Sequence, residues 1–301
     1  MNLSGVILPL TTPFAGEAVD TAALAANIAR YERHGLAGYL LLGSTGEAAL
    51  LDEDEKLEVL RAARAAIPPG KLMLAGVGVE STRATVRLAR AAGEAGADAL
   101  LVLTPFFFRA RMSADALRRH FETVADAAPV PLLLYNVPVH TSLVIPPAVV
   151  GELARHPNVA GLKDSSGDLP WLLDVLGRVP AGFRVLCGSA AAFASELAAG
   201  AVGAILAVGN ALPEPLVELH RRHLASDAAS ALALQKALIG PIRAIVNAFG
   251  ITGIKAVMDL RGLRGGAPRP PLQPLAAAEL AELRAELDRV VQAGLIKAAS
   301  L

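Results

Sequence analysis

The chain has 301 residues, 28 of them basic and 28 acidic, so its formal net charge is zero, and neither sign forms a long run. That balance removes the usual electrostatic signal of a nucleic-acid binder or of a protein held on an anionic membrane. Its one cysteine, Cys187, excludes an internal disulfide and leaves no CxxC or mixed Cys/His cluster for zinc, which fits a reducing cytoplasm.

Hydrophobic residues make up 53% of the chain, much of it alanine, and no uninterrupted apolar stretch reads as long enough to span a bilayer. Met1-Asn2-Leu3-Ser4 runs straight into a strand-like Gly5-Val6-Ile7-Leu8, which leaves no room for a secretion signal. The expectation is a soluble cytoplasmic protein with no membrane or nucleic-acid partner.

In chain order, short apolar runs fall at 6–8, 39–42, 72–75, 99–103, 131–135, 159–162, 183–187 and 202–207, separated by Ala/Leu/Arg segments of helical periodicity. Asp52 with Glu53, Asp54 and Glu55, then Ser81-Thr82 and Ser113-Ala114-Asp115, read as helix starts. Ala95-Gly96 and Ala199-Gly200 read as helix stops. Strands that are apolar along their length belong to a sheet covered on both faces, and strict alternation with helices makes them parallel. Eight such units predict an α/β fold, a (β/α)8 TIM barrel. The first strand is followed by Pro9-Leu10-Thr11-Thr12-Pro13-Phe14, with no phosphate-binding glycine loop of the doubly wound kind. Beyond residue 213 the strand signals stop. Helices are expected near 214–224, 227–248, 252–260 and 275–295, with Gly265-Gly266-Ala267-Pro268-Arg269-Pro270-Pro271 as a stiff connector before the last. The domains read as a barrel over 1–224 and a C-terminal helical extension over 225–301.

In such a barrel the chemistry lies at the C-terminal ends of the strands. Lys163 reads as the last residue of a buried strand, after Val159-Ala160-Gly161-Leu162, and Tyr135 closes the preceding strand before Asn136-Val137-Pro138. A buried ammonium is costly, and the usual response is a depressed pKa and a nucleophilic neutral amine, which Schiff-base chemistry requires. A lysine in this position also serves elsewhere as an ion-pair partner or a snorkelling surface group. Thr11, Thr12, Gly43-Ser44-Thr45-Gly46-Glu47, Thr104 and Gly188-Ser189 follow other strands. The set contains an amine, a phenol and hydroxyls but no carboxylate triad and no metal-ligand cluster, so neither metal nor cofactor is expected. Backbone N–H groups and two hydroxyls in the Gly-Ser-Thr-Gly-Glu turn suit a carboxylate; an ordinary strand-to-helix turn has the same composition.

Gly43-Ser44-Thr45-Gly46-Glu47, Tyr135-Asn136-Val137-Pro138 and Gly161-Leu162-Lys163-Asp164, in this order and spacing, resemble the pyruvate-dependent class I aldolase family. That family includes dihydrodipicolinate synthase, N-acetylneuraminate lyase and 4-hydroxy-2-oxoglutarate aldolase. The resemblance spans essentially the whole chain. It implies a barrel with a helical C-terminal domain, a Schiff base between Lys163 and pyruvate, and Tyr135 and Ser44 in catalysis. It also implies that Ser44 and Thr45 bind the pyruvyl carboxylate, that Gly188 and Ile205 line the lysine pocket, and that the assembly is a homotetramer or homodimer. The stretch from Thr104 to Ser113, Lys163 to Asp168, Cys187 to Ala190 and Phe249 to Lys255 look most like 4-hydroxy-2-oxoglutarate aldolase, so retro-aldol release of pyruvate is the expected activity, with dihydrodipicolinate synthesis as the alternative. Two departures bear on that choice. The synthases place an arginine where this chain has His140, and a mostly neutral imidazole offers neither permanent charge nor a bidentate fork to an acceptor carboxylate. Ser165 and Thr141 are then available to hydrogen-bond the acceptor end. The synthases also usually lend a tyrosine across the dimer interface at the position of Phe107, and phenylalanine passes no proton.

Three other features have plainer readings. His220 and His223, three apart on a helix, read as a surface pair for lack of a third ligand. Gly76-Val77-Gly78 lacks the last glycine of a dinucleotide fingerprint. Phe106, Phe107 and Phe108 crowd one loop of a chain with 4% aromatics, which suggests an interface.

Overall fold

The alternation seen in the sequence closes on itself. In the computed structural model, which describes residues 1–297, eight strands are each buried over most of their length: β1 (Gly5–Pro9), β2 (Gly38–Leu41), β3 (Leu72–Gly76), β4 (Ala99–Leu103), β5 (Leu132–Asn136), β6 (Val159–Asp164), β7 (Arg184–Cys187) and β8 (Gly203–Ile205). They form one closed parallel barrel in sequence order, with β8 returning to β1 through the pairs Gly5 with Gly203 and Ile7 with Ile205. Successive side chains of a strand face opposite ways. Ile7, Leu40, Leu74, Leu101, Leu133, Leu186 and Ile205 therefore fill the barrel, while Val6, Leu8, Tyr39, Met73, Leu100, Leu134, Leu162 and Val185 meet the helices outside. Full burial of each such side chain contributes about 1.5–3 kcal/mol.

The outer layer is α1 (Thr21–Tyr31), α2 (Glu53–Ala66), α3 (Thr82–Glu94), α4 (Ala114–Ala127), α5 (Pro147–Leu153), α6 (Leu169–Leu176), α7 (Phe193–Ala199) and α8 (Pro213–Leu224). On α4 the buried residues Leu117, His120, Phe121, Val124 and Ala125 recur at helical spacing and give the face that packs inward. The expected starts are real: Asp52 and Glu55 form a reciprocal capping box, and Ser81 and Ser113 accept the N–H groups of Ala84 and Ala116. Gly96 and Gly200 end helices with positive φ, as anticipated.

Boundaries differ at the strand ends. Lys163 and Tyr135 are each the penultimate residue of their strands, because β5 and β6 run one residue further to pair Asn136 with Asp164. Leu42 leaves β2 with φ of 57° to turn the chain into the loop that follows. The hairpin of Phe14–Ala15 with Ala18–Val19 was not foreseen; two pairs of residues carry no readable alternation.

Beyond the barrel, α9 (Ala228–Ile242) passes through a π turn (Arg243–Asn247) into α10 (Ala248–Leu260), where two separate helices were expected, and α11 (Ala277–Gln292) follows the connector. Pro241 cannot donate to the preceding turn, and Gly250, at φ 56° and ψ −136°, kinks the run. The run Ala228–Leu260 is long and apolar enough to cross a membrane by length and composition, although it is not an uninterrupted apolar stretch of the kind the sequence expectation concerned. The sequence reading looked for unbroken apolarity, whereas this helix intersperses Lys236, Arg243, Lys255 and Asp259.

Candidate active site

Parallel register brings the two foremost candidates side by side. Tyr135 on β5 is the direct partner of Lys163 on β6, so both side chains enter the barrel interior at its C-terminal mouth, each 5% exposed. The Lys163 amine lies 4.2 Å from the centroid of the Tyr135 ring. Burial pushes the Tyr135 phenol up, but the charge on Lys163 and hydrogen bonds with Ser165, Lys163 and Ser44 outweigh it, and the net shift is downward. Three groups from the ends of two strands thus converge on one hydroxyl.

Around this centre, Gly188 leaves the space the lysine occupies. A Cβ there would sit 2.1 Å from Ser165 Oγ and 3.0 Å from Lys163 Cε, so no larger residue fits. Ile205 packs in the same interior cluster as Tyr135. His140 lies in the single helical turn Pro138–Thr141, and its imidazole is driven toward neutrality first by burial and then by the positive charge of Lys163. Tyr135, Ser44, His140 and Thr141 share a cavity of about 540 Å³ whose wall also includes Val137, Ile251 and Leu272.

Behind the lysine, facing away from the barrel interior, a second layer holds the strands in place. Asn136 donates to Asp164 Oδ1 at 2.7 Å and accepts the Ile145 N–H at 3.0 Å. Asp164 also accepts the Ser166 hydroxyl and N–H at 2.7 and 3.1 Å. Burial pushes the Asp164 carboxyl up despite these donors. Cys187, the register partner of Asp164, donates to the Ser189 carbonyl at 3.1 Å. Burial and the neighbouring Glu196 drive its thiol well above the usual range. Glu196, 1% exposed, is pushed up to about 8 by burial.

The structure thus gathers Lys163, Tyr135, Ser44, Ser165, Gly188 and His140. Thr45 lies in the 3-10 turn Ser44–Gly46 beside them, half-buried. Thr11 and Thr12 are spent on structure, donating to Met258 Sδ at 3.5 Å and to the Gly46 carbonyl at 2.7 Å. His220 turns inward to the Val202 carbonyl at 3.2 Å, away from the surface pairing expected of it. Among the described residues no group of three His, Cys, Asp or Glu side chains is arranged to hold a metal. Sequence reasoning missed Asn136, Asp164 and Glu196, whose polarity inside apolar segments was the available signal, and gave Lys255 no role of its own.

The sequence profile of the dihydrodipicolinate synthetase family matches residues 2–290. The chain belongs to that family. Two relatives named 4-hydroxy-tetrahydrodipicolinate synthase, from an Exiguobacterium and a Synechococcus species, are 33% and 36% identical over 95% and 89% of this chain and 97% and 88% of their own. Among solved structures, YagE, a prophage protein of this family from E. coli K12 in complex with pyruvate, has 30% identity and a TM-score of 0.90. The alignment covers 96% of this chain and 98% of that one. The synthase from Methylacidiphilum fumariolicum has 26% identity and a TM-score of 0.92, with 98% of both chains covered. As a member of the family the chain is a class I lyase that works through a lysine Schiff base. The particular likeness to 4-hydroxy-2-oxoglutarate aldolase finds no support in these relatives, whose names favour the synthase.

Proposed function

We propose that Lys163 is the Schiff-base lysine and that pyruvate is its partner. The observation that carries this reading is the pairing of a buried amine with a phenol of lowered pKa at the mouth of the barrel. The amine, once it has given up its proton, attacks the pyruvyl C2, a proton relayed through Tyr135 and Ser44 lets hydroxide leave as water, and the resulting imine acidifies C3. Loss of a C3 proton gives an enamine that adds to an aldehyde carbon. Hydrolysis then frees the amine, and the same steps reversed release pyruvate. Ser44 and Thr45, with the N–H groups of their turn, hold the pyruvyl carboxylate; Gly188 and Ile205 shape the pocket around the lysine.

For the acceptor, the relatives' names support condensation with aspartate semialdehyde, the 4-hydroxy-tetrahydrodipicolinate synthase reaction. A second reading, cleavage of 4-hydroxy-2-oxoglutarate, rests on His140, since a neutral imidazole replaces the permanent cation expected beside an acceptor carboxylate; Ser165 and Thr141 would then hydrogen-bond the acceptor end. The exposed Phe106, Phe107 and Phe108 support assembly as a homotetramer or homodimer. We further take 1–224 and 225–301 as the two domains and the cytoplasm, where a lone thiol stays reduced, as the compartment.

Borohydride reduction with pyruvate should fix a stable mass on Lys163 alone; labelling elsewhere, or none, removes the mechanism. Assays of both substrates run side by side should show faster condensation. More efficient cleavage of the hydroxy-oxo acid would install the second reading.

A further inference from the structure

The turn that carries Ser44 and Thr45 is anchored from outside the barrel. Glu47, which ends that turn, is forced to φ of 55°, a conformation a glutamate rarely adopts unless its surroundings hold it there. Its side chain is buried and is gripped by the C-terminal extension on both oxygens. Lys255 Nζ, on α10, lies 2.5 Å from Oε1, and the Arg269 N–H donates to Oε2 at 2.8 Å. Both side chains of the ion pair are essentially free of solvent, at 0% and 1% exposure. Burial pushes the Lys255 ammonium down, and Glu47 only partly offsets it.

The remaining contacts of this lysine fix the connector. Its amine also donates to the Ala267 carbonyl at 3.1 Å and lies 4.5 Å from the centre of the Phe14 ring. Gly265 passes so close that a Cβ would be 2.1 Å from the Lys255 carbonyl. Arg269 stacks its guanidinium 4.4 Å from the centre of the same Phe14 ring and reaches the Leu50 carbonyl at 3.0 Å and Glu55 at 2.6 and 2.7 Å. From the barrel side, Thr12 holds the Gly46 carbonyl. Nothing in pyruvate chemistry calls for a second buried lysine, and a buried ion pair is a weak source of net stability because desolvation offsets most of its attraction. What the pair does supply is a single direction for the turn.

We propose that Glu47 and Lys255 are positioning residues for pyruvate: the C-terminal extension holds the 43–47 turn through this ion pair, so that Ser44 and Thr45 meet the substrate carboxylate in a fixed orientation. The proposal rests on the reading of Ser44 and Thr45 as carboxylate ligands. Misplacing a binding group by about 1 Å can cost up to about a hundredfold, so the effect belongs in pyruvate affinity and much less in the chemistry once pyruvate is bound.

The test needs no acceptor. Borohydride trapping at Lys163 is followed against pyruvate concentration in wild type, Lys255→Met, Glu47→Gln and the double variant, with unfolding curves alongside. Lys255→Met should raise the half-saturating pyruvate concentration about tenfold or more, a loss of about 1.4 kcal/mol, while the trapping rate at saturation changes by less than about threefold. The double variant has no net charge to bury but also no ion pair, so its half-saturation should stay raised about as far as in Lys255→Met; recovery to the wild-type value would assign the effect to a stranded charge and overturn the proposal. A folded Lys255→Met protein with wild-type half-saturation overturns the proposal, as does an equal loss of saturating rate with no change in affinity. If Lys255→Met does not fold, Glu47→Gln decides by the same two readouts, with half-saturation expected to rise about threefold and an unchanged value overturning it. An absence of adduct in wild type would remove the Schiff-base reading itself, a different outcome from an adduct whose affinity ignores the pair.

Discussion

Two buried lysines follow nearly the same words, Gly161-Leu162-Lys163 and Gly253-Ile254-Lys255, and have opposite surroundings. Lys255, on a helix, has a carboxylate at 2.5 Å, a carbonyl at 3.1 Å and an aromatic face. Lys163, on a strand, has no ion pair among the described residues and faces the Tyr135 phenol, which in turn meets Ser165 and Ser44. A carboxylate neighbour holds an ammonium in its charged form, whereas a phenol and hydroxyls can take a proton and return it. The difference teaches that burial alone does not make a lysine reactive; its partners decide what chemistry the amine can reach.

The largest expected effect exchanges the two. Lys163→Met should abolish both the borohydride adduct and turnover, while Lys255→Met should still form the adduct at high pyruvate concentration. Mass spectrometry of the reduced proteins checks this, and an adduct surviving Lys163→Met would break the comparison outright. Next comes the mobile proton. Tyr135→Phe keeps the ring in the barrel interior and removes the relay, so turnover should fall by about two to four orders of magnitude with little change in melting temperature. Near-wild-type turnover would assign the relay to Ser44 or water.

A smaller effect is expected from charge placed beside the reactive lysine. His140→Arg should raise kcat/KM for aspartate semialdehyde condensation relative to 4-hydroxy-2-oxoglutarate cleavage by about tenfold to a hundredfold, the equivalent of about 1.5–3 kcal/mol for a charge-assisted contact. Steady-state kinetics on both substrates checks it. An unchanged ratio would mean that residue 140 points away from the acceptor, whichever substrate is real.

Much of this is legible in the sequence itself. Eight apolar runs at regular spacing specify a closed parallel barrel, because period-2 burial on both faces leaves few alternatives. The ends of strands could then be collected as a site, and Lys163, Tyr135 and Ser44 followed. Long-range pairings were not legible. Nothing near Glu47 points to residue 255, more than two hundred positions away, and the ion pair exists only because α10 of the C-terminal extension meets the turn that follows β2. The Asn136–Asp164 contact was hidden for another reason: it depends on a register of one residue at the strand ends, finer than an apolar run can define.

The smallest expected effect on turnover tests the layer behind Lys163, where a carboxyl has no cation at all. Among the described residues Glu196 makes no ion pair, and burial raises its carboxyl from 4.5 to about 8, with Asp164 adding to the rise and the Cys187 thiol opposing it. Between these two values the folded protein keeps a proton that the unfolded chain has released. Stability must therefore fall as pH rises through that window: the contribution is whole below about pH 4.5 and gone above about pH 8. Glu196→Gln cannot ionise, so it should lose this decline and gain on wild type by about 1–3 kcal/mol at the alkaline end, the scale of an uncompensated buried polar group. Urea unfolding at pH 5, 6.5 and 8 measures it directly. Wild type and variant declining in parallel would mean that Glu196 finds a partner on ionising. The contrast between a lysine locked by a carboxylate and a carboxyl left without a cation would then not hold across the barrel wall.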